Sequence, residues 1–218
     1  MNAKTRKIAF AAAAVLLLSA LISALASCGK ADEPEDETHY LFAKVIEVGS
    51  SPLVEPAEGS WERSSADRIY INTRNMTGEQ SEYTLRALRV GDAVRIAYDG
   101  MIAETYPARI DNASEIRFTD SNNRDVLYTW QTAVVTDSEY CRPGRPSVRL
   151  ETDASLGGGD IFLLQPDYSN DPEVEKTLKE LEISERVVVC FCTVFDLSPQ
   201  VIDVFRVLRL QQVFGGDA

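Results

Sequence analysis

The chain has 218 residues, with 22 Lys and Arg against 34 Asp and Glu and a single histidine, for a formal net charge of −12. Acidity of this size repels nucleic-acid phosphate and anionic headgroups, so no nucleic-acid partner is expected. With His39 as the one histidine, beside an acidic stretch, and with no Gly-x-Ser-x-Gly run, no Ser/His/Asp hydrolase arrangement can be assembled.

Lys4, Arg6 and Lys7 precede an apolar run from Ile8 to Leu25, broken only by Ser19 and Ser23. Positive charge, then an apolar stretch, then small residues is the secretory pattern. The run approaches the length of a membrane span. Its alanine content and the absence of a flanking aromatic or basic belt favour cleavage over a retained helix. Leu25-Ala26-Ser27-Cys28 closes the run and resembles the lipobox of bacterial lipoprotein precursors. That resemblance implies lipidation of Cys28, palmitate-type acyl chains, and a cell-membrane address on the extracytoplasmic face. With residues 1–27 removed as a signal peptide, three cations leave and the net charge falls to −15. Residues 28–39 hold five acids and no apolar periodicity, which reads as a flexible, self-repelling tether.

Beyond the tether the pattern is mainly that of strands. Apolar and polar residues alternate from Tyr40 to Val48; Gly49-Ser50-Ser51-Pro52 interrupts them, and Leu53 to Glu55 resumes. The polar stretch Pro56 to Ser65 is expected to loop out before a strand at Arg68-Ile69-Tyr70-Ile71. Glu79 to Leu88 is weakly helical. Val94, Ile96 and Tyr98 then alternate with Arg95, Ala97 and Asp99, and Asp99-Gly100 signals a type I′ hairpin turn. Later, Asp171 suits an N-cap, Pro172 the first helical position and Glu173 the helix dipole. Val174, Leu178 and Leu181 make one apolar stripe, with Glu175 and Lys179 able to pair outside.

The chain nearly repeats itself. Leu88 to Ile96 aligns with Leu181 to Val189, Pro107 to Asp111 with Pro199 to Asp203, and Glu115 to Phe118 with Val207 to Leu210. Upstream, Ala66 to Ile71 resembles Gly159 to Leu163, and Leu53 to Glu55 resembles Val148 to Glu151. The common order of these matches predicts two copies of one small domain, residues 40–119 and 126–214, joined by a linker at 120–125. Three strands, a helix and two strands is the order of an OB-type barrel. The expected fold is therefore mainly β, with two tandem OB-like barrels, each carrying a short helix. Val188, Cys190 and Cys192 replace Arg95, Ala97 and Asp99 in the second copy, so that strand is apolar on both faces and should be covered on both.

The run Val90-Gly91-Asp92-Ala93-Val94-Arg95-Ile96-Ala97-Tyr98-Asp99-Gly100, followed by Glu104-Thr105-Tyr106-Pro107-Ala108, resembles small lipoproteins of Gram-positive Firmicutes with a YobA-like domain of unknown function. Leu53-Val54-Glu55-Pro56 and Ser65-Ala66-Asp67 agree, and the resemblance spans Tyr40 to Phe118. It implies an address and a barrel-like fold, and no activity. The second half departs from it, with Ser184-Glu185 for Gly91-Asp92 and Cys192-Thr193 for Asp99-Gly100, substitutions expected to loosen the turns.

Chemistry-bearing positions are few. Cys141, Cys190 and Cys192 are free thiols or allow one disulfide from Cys141; too few Cys and His stand at ligand spacing for a metal, and no cofactor motif is present. Gly157-Gly158-Gly159 lacks the lysine of a phosphate loop and reads as a turn. Asp120 to Asp125 lacks the glycine and the glutamate of a calcium loop. Two binding elements stand out. Trp61 sits in a polar loop, placed to stack on a sugar or peptide or to cap the barrel. Arg142, Arg145 and Arg149 gather positive charge around the first loop of the second barrel. The reading is a membrane-tethered, non-catalytic binding or scaffolding module for an envelope protein or glycan. The alternative is a carboxylate-dependent cell-envelope hydrolase; Glu104 and Glu115 could be imagined as an acid/base pair, but among 34 acids such carboxylates read as surface.

Overall fold

A computed structural model describes residues 38–122, 124–142, 144–151, 161–167, 171–195 and 200–210. The expected signal peptide, Cys28, most of the expected tether and the triple glycine lie outside the described residues. From Thr38 onward the chain forms one compact unit. Its first half contains β1 (His39–Glu47), β2 (Leu53–Pro56), α1 (Trp61–Ser65), β3 (Ile69–Ile71), α2 (Glu79–Ala87), β4 (Ala93–Tyr98), β5 (Ala108–Ile110) and β6 (Ala113–Phe118). The sheet order is β5-β3-β2-β1-β4-β6, with β3 parallel to β5 and the other neighbours antiparallel. Only Asp111 and Asn112 separate β5 from β6, so the two are arms of one bent strand that links the edges of the sheet.

The second half runs β7 (Thr129–Thr136), β8 (Ser147–Leu150), β9 (Ile161–Pro166), α3 (Pro172–Glu180), β10 (Arg186–Phe195) and β11 (Gln200–Arg209). These strands close into a barrel of order β10-β11-β9-β8-β7, again with one parallel pair, β9 with β11. Both halves are OB-like: strand for strand the pairing is the same. Ile69 faces Ala108 as Phe162 faces Gln200, which is the register expected from the repeat.

The copies agree in finer detail. Gly91 at φ 98° and Ser184 at φ 70° occupy the same left-handed position before the fourth strand. The Asp92 carboxylate accepts from the Arg89 N–H at 2.8 Å, and that of Glu185 from the Glu182 N–H at 3.0 Å. Gly91 and Ser184 donate to the carbonyls of Val45 and Val135, each at 2.8 Å. The turn expected to loosen therefore keeps its bonds and instead holds a non-glycine residue at positive φ. Replacing Ser184 by glycine should raise stability by roughly 0.5–1 kcal/mol, because the left-handed penalty of about 1–2 kcal/mol exceeds the extra entropy a glycine loses. A higher urea midpoint at unchanged slope is the expected result.

A β-bulge recurs too. Opposite β4, Ala97 faces Glu115 and Tyr98 faces Ala113, leaving Ser114 over; opposite β10, Cys190 faces Arg206 and Phe191 faces Val204, leaving Phe205 over. The sequence alignment of the final strands is one residue out, since Phe118 corresponds to Arg209 and not to Leu210. Beyond Phe191 a further shift in β10 breaks its alternation, so Cys192 is exposed while Cys190 is buried, correcting the expectation that both are covered. The described cysteines are free thiols, and burial pushes the Cys190 thiol well above its ordinary range.

Two other expectations change. Part of the anticipated 56–65 loop is α1, capped by the Ser60 hydroxyl accepting from the Arg63 N–H. Asp99-Gly100 is not a type I′ hairpin, because only Gly100 has positive φ and β4 pairs with β6 across a longer loop. Gly100 passes so close to the His39 ring that a Cβ there would lie 2.5 Å from its Cδ2. The α3 prediction holds: Asp171 accepts from the Glu173 N–H at 2.9 Å, and Val174 and Leu178 are buried. Burying each contributes about 1.5–3 kcal/mol.

The first core is formed by Leu41, Val45, Ile69, Ile96, Ile110 and Ile116, among others, and the second by Val135, Val148, Leu164, Val187, Val189 and Ile202, among others. Trp130, Val188 and Cys190 belong to the first core although they lie on β7 and β10 of the second barrel. The strand apolar on both faces is thus covered on both, by its own barrel and by its neighbour.

Candidate functional site

Cross-strand register defines one outer face on each barrel. In the first, Tyr40, Ala97 and Glu115 form one row, and Phe42, Arg95 and Arg117 the next. In the second, the same rows are Trp130, Cys190 and Arg206, then Thr132, Val188 and Leu208. The two faces differ chiefly at two equivalent positions, where Arg95 and Arg117 of the first stand for Val188 and Leu208 of the second. In the other row both faces carry an aromatic ring, a small apolar residue and a charge.

The second face is occupied. Trp130 is only 3% exposed; its indole N–H donates to Thr84 Oγ1 at 3.0 Å. The Gln80 side chain in α2 donates to the Trp130 carbonyl and accepts from its N–H, both at 2.9 Å. The bulge turns Phe205 and Arg206 to the same side. Phe205 packs on Phe118 and Tyr128, with ring centroids 5.1 and 4.5 Å away. Arg206 reaches Asp92 Oδ1 at 2.8 Å and Asp171 Oδ2 at 3.1 Å, and Arg89 also donates to Asp171. Charges from the two barrels alternate across this contact.

The first face is open among the described residues. Tyr40 is 47% exposed, and the Arg95 guanidinium lies 4.5 Å from its ring centre. Glu115 is held between Arg95 at 3.0 Å and Arg117 at 2.7 Å, and Arg124 lies 5.8 Å from the centre of the Phe42 ring. Arg95 Nε is buried with no hydrogen-bond partner among the described residues. Beside Phe42 and Lys44 the face runs into a cleft of about 400 Å³, walled by Glu55, Arg63, Asp120 and Arg124. Arg63 is fixed there by Glu55 at 2.7 Å and by the Pro56 carbonyl at 2.9 Å. Guanidinium groups laid on aromatic rings and presented as planar forks suit carboxylate- or phosphate-bearing partners. Glu115, imagined as a catalytic acid, is engaged by two arginines.

The sequence-derived candidates lie elsewhere. Trp61 opens α1, 51% exposed, with its ring edge-on to His39 at 6.4 Å. Beneath it the Tyr98 hydroxyl donates to buried Glu62 at 3.2 Å; burial and that carboxylate push the phenol far above its ordinary value. Arg142 and Arg145 face each other across a tight backbone bridge in the β7–β8 loop, and Arg149 is exposed on β8. Trp61 is on the first barrel and the three arginines are on the second. The residues that sequence reasoning missed are Tyr40, Phe42, Arg95 and Arg117; their signal was the replacement of Arg95 by Val188 in the repeat. Among the described residues no cluster of His, Cys, Asp and Glu is placed to hold a metal, and no helix is long and apolar enough to cross a membrane.

No family model and no curated protein matches the sequence. Among solved structures the chain is similar to Drosophila Unr CSD456, with 14% identity over 79% of this chain and 62% of that one, at a TM-score of 0.26. It is also similar to the single-stranded DNA binding protein of Thermus aquaticus, with 11% identity over 79% of this chain and 91% of that one, at a TM-score of 0.23.

Proposed function

We propose that the protein is an extracytoplasmic lipoprotein, anchored through Cys28, whose two barrels act as a non-catalytic binding or scaffolding module with the outer face of the first barrel as its working surface. The observation that carries this reading is the contrast between equivalent faces: one is buried in holding the barrels together, with Trp130 and Arg206 inside, while the other leaves Tyr40 exposed beside Arg95 and Arg117. Arg95 and Arg117 flank Glu115 on this face, and Lys44, Arg63 and Arg124 share the adjoining cleft with Glu55, Glu58 and Asp120, in a chain whose net charge is strongly negative. A cationic face on an acidic body selects partners by local charge complementarity. The partner class is an acidic envelope protein or glycan, with the membrane engaged through the lipid. Nucleic acid is disfavoured by the overall charge.

The lipobox run supports the address, as does the resemblance to YobA-like lipoproteins. A single acyl chain binds membranes only marginally, whereas two or more hold stably, so a diacylglyceryl cysteine would keep the module at the bilayer. Replacing Cys28 with alanine should leave an unprocessed precursor and abolish metabolic lipid labelling. Persistent labelling in that variant would rule out the anchor.

A further inference from the structure

Strand register sorts the loops of the first barrel into two ends. His39 at the start of β1 faces Tyr98 at the close of β4, Pro56 at the close of β2 faces Ala43, and Ile69 and Ala108 open β3 and β5 side by side. The loops 57–68 and 99–107 therefore flank the point where the chain enters the fold. At the opposite end α2 links β3 to β4, and its Gln80 and Thr84 are engaged by Trp130 of the second barrel. One end is thus taken up by the neighbouring barrel. The entry end instead exposes large apolar side chains: Tyr106 is 80% exposed, Met101 72% and Trp61 51%. Trp61 meets the His39 ring edge-on at 6.4 Å, and Gly100, the neighbour of Met101, packs against the same ring. Ile102 is packed on the first core, which pins the loop while Met101 stays in solvent.

We infer that this entry end seats on the lipid bilayer, with Trp61, Met101 and Tyr106 entering the headgroup interface. The inference rests on Cys28 being lipidated. Ten residues separate Cys28 from His39, so the acylated cysteine lies within at most roughly 40 Å of this rim. Such a tether holds the rim at an effective concentration on the order of millimolar, so even a weak contact is populated. Amphipathic rings such as those of Trp and Tyr settle at the membrane–water boundary, and methionine adds a flexible apolar chain. Charge does not drive the contact. Exposed Glu58, Asp67, Asp99 and Glu104 outnumber Arg68 at this end, so anionic headgroups repel it and the anchor is needed to hold it there. Seated this way, the fold leaves the face of Arg95 and Arg117 and the second barrel in water, available to a partner.

Trp61 and Trp130 are the two tryptophans of the chain, and Trp130 is buried, so their emission separates the rim from the interior. The protein, expressed from its full-length sequence, purified in detergent and reconstituted into phosphatidylcholine vesicles, should float with them. When the acyl chains carry bromine, a short-range quencher, most of the Trp61 emission should be lost. Trp61→Phe, which leaves Trp130 alone, should float and keep its emission. Met101→Asp with Tyr106→Asp should float and escape quenching, and because both side chains are exposed the fold is kept, as an unchanged urea midpoint checks. Flotation of the wild type without quenching would overturn the seating and leave the anchor standing. Failure to float would overturn both. Quenching that persists in Trp61→Phe or in the double aspartate variant would put the lipid contact elsewhere on the fold and overturn this rim as its seat.

Discussion

Arg206→Met is expected to destabilise the folded protein by about 3–5 kcal/mol in urea unfolding, because it strands the buried Asp92 carboxylate. Arg206 is 7% exposed, and its guanidinium bonds Asp92 and Asp171 while stacking 4.1 Å from the centre of the Phe205 ring. Its Nε is buried without a partner among the described residues, so the group is costly to bury and its charge must be matched. The network orients the barrels more than it stabilises them, since replacing a whole buried ion pair is often neutral. Combining Arg206→Met with Asp92→Asn should therefore recover much of the loss. Burial pushes the Asp92 carboxyl above its ordinary 3.8, with Arg206 pulling the other way. The folded state then holds this proton more tightly than the unfolded state, so Asp92 favours folding as pH falls through the window just above 3.8. Relative to Asp92→Asn, the wild type should gain stability across that window; a relative loss there would contradict the assigned direction.

Trp130→Ala should cost about 3–5 kcal/mol, the range for removing a large buried aromatic. The indole belongs to the core of the barrel opposite its own strand, lying 5.9 Å from Tyr83 and 6.2 Å from Phe118 between ring centroids. Its N–H also satisfies Thr84, so truncation opens a cavity and removes a buried hydrogen bond. Tyr40→Ala, at the equivalent exposed position of the first barrel, should change stability by no more than about 1 kcal/mol. Urea unfolding of both variants measures the contrast. Equal losses would mean that the two faces are equally committed to the fold.

Much of this architecture is legible in the chain itself. Alternation at Tyr40 to Val48, the Asp171-Pro172-Glu173 helix start and the ordered repeat are local signals, and each reports a structure made by nearby residues. The double-faced apolar strand also announces a neighbour, and the two-barrel core supplies it through Val188 and Cys190. What escapes sequence reading depends on register. The bulge at Phe205 shifts the last strand by one residue, and that shift places Phe205 and Arg206 on one side, which alternation alone would forbid. Cys192 is exposed for the same kind of reason. The helix at Trp61 to Ser65 is too short to leave a periodic pattern. The proposed working face is hidden because Tyr40, Phe42, Arg95 and Arg117 come from three strands and meet only through cross-strand pairing. A solitary exposed tryptophan and a run of arginines are conspicuous in sequence for the opposite reason, being close together along the chain.

The two copies share one topology and differ in what their outer faces do. The second copy is apolar at Val188 and Leu208 and is taken up in the contact between barrels, while the first carries Arg95 and Arg117 at the same positions. Hydroxyl-radical footprinting of full-length protein tests this division of labour most directly, by comparing native membranes with purified monomer in detergent. Occupancy of the open face predicts that oxidation of Tyr40 falls several-fold in the membrane while Trp130 stays protected in both. Equal reactivity of Tyr40 in the two settings would contradict the account.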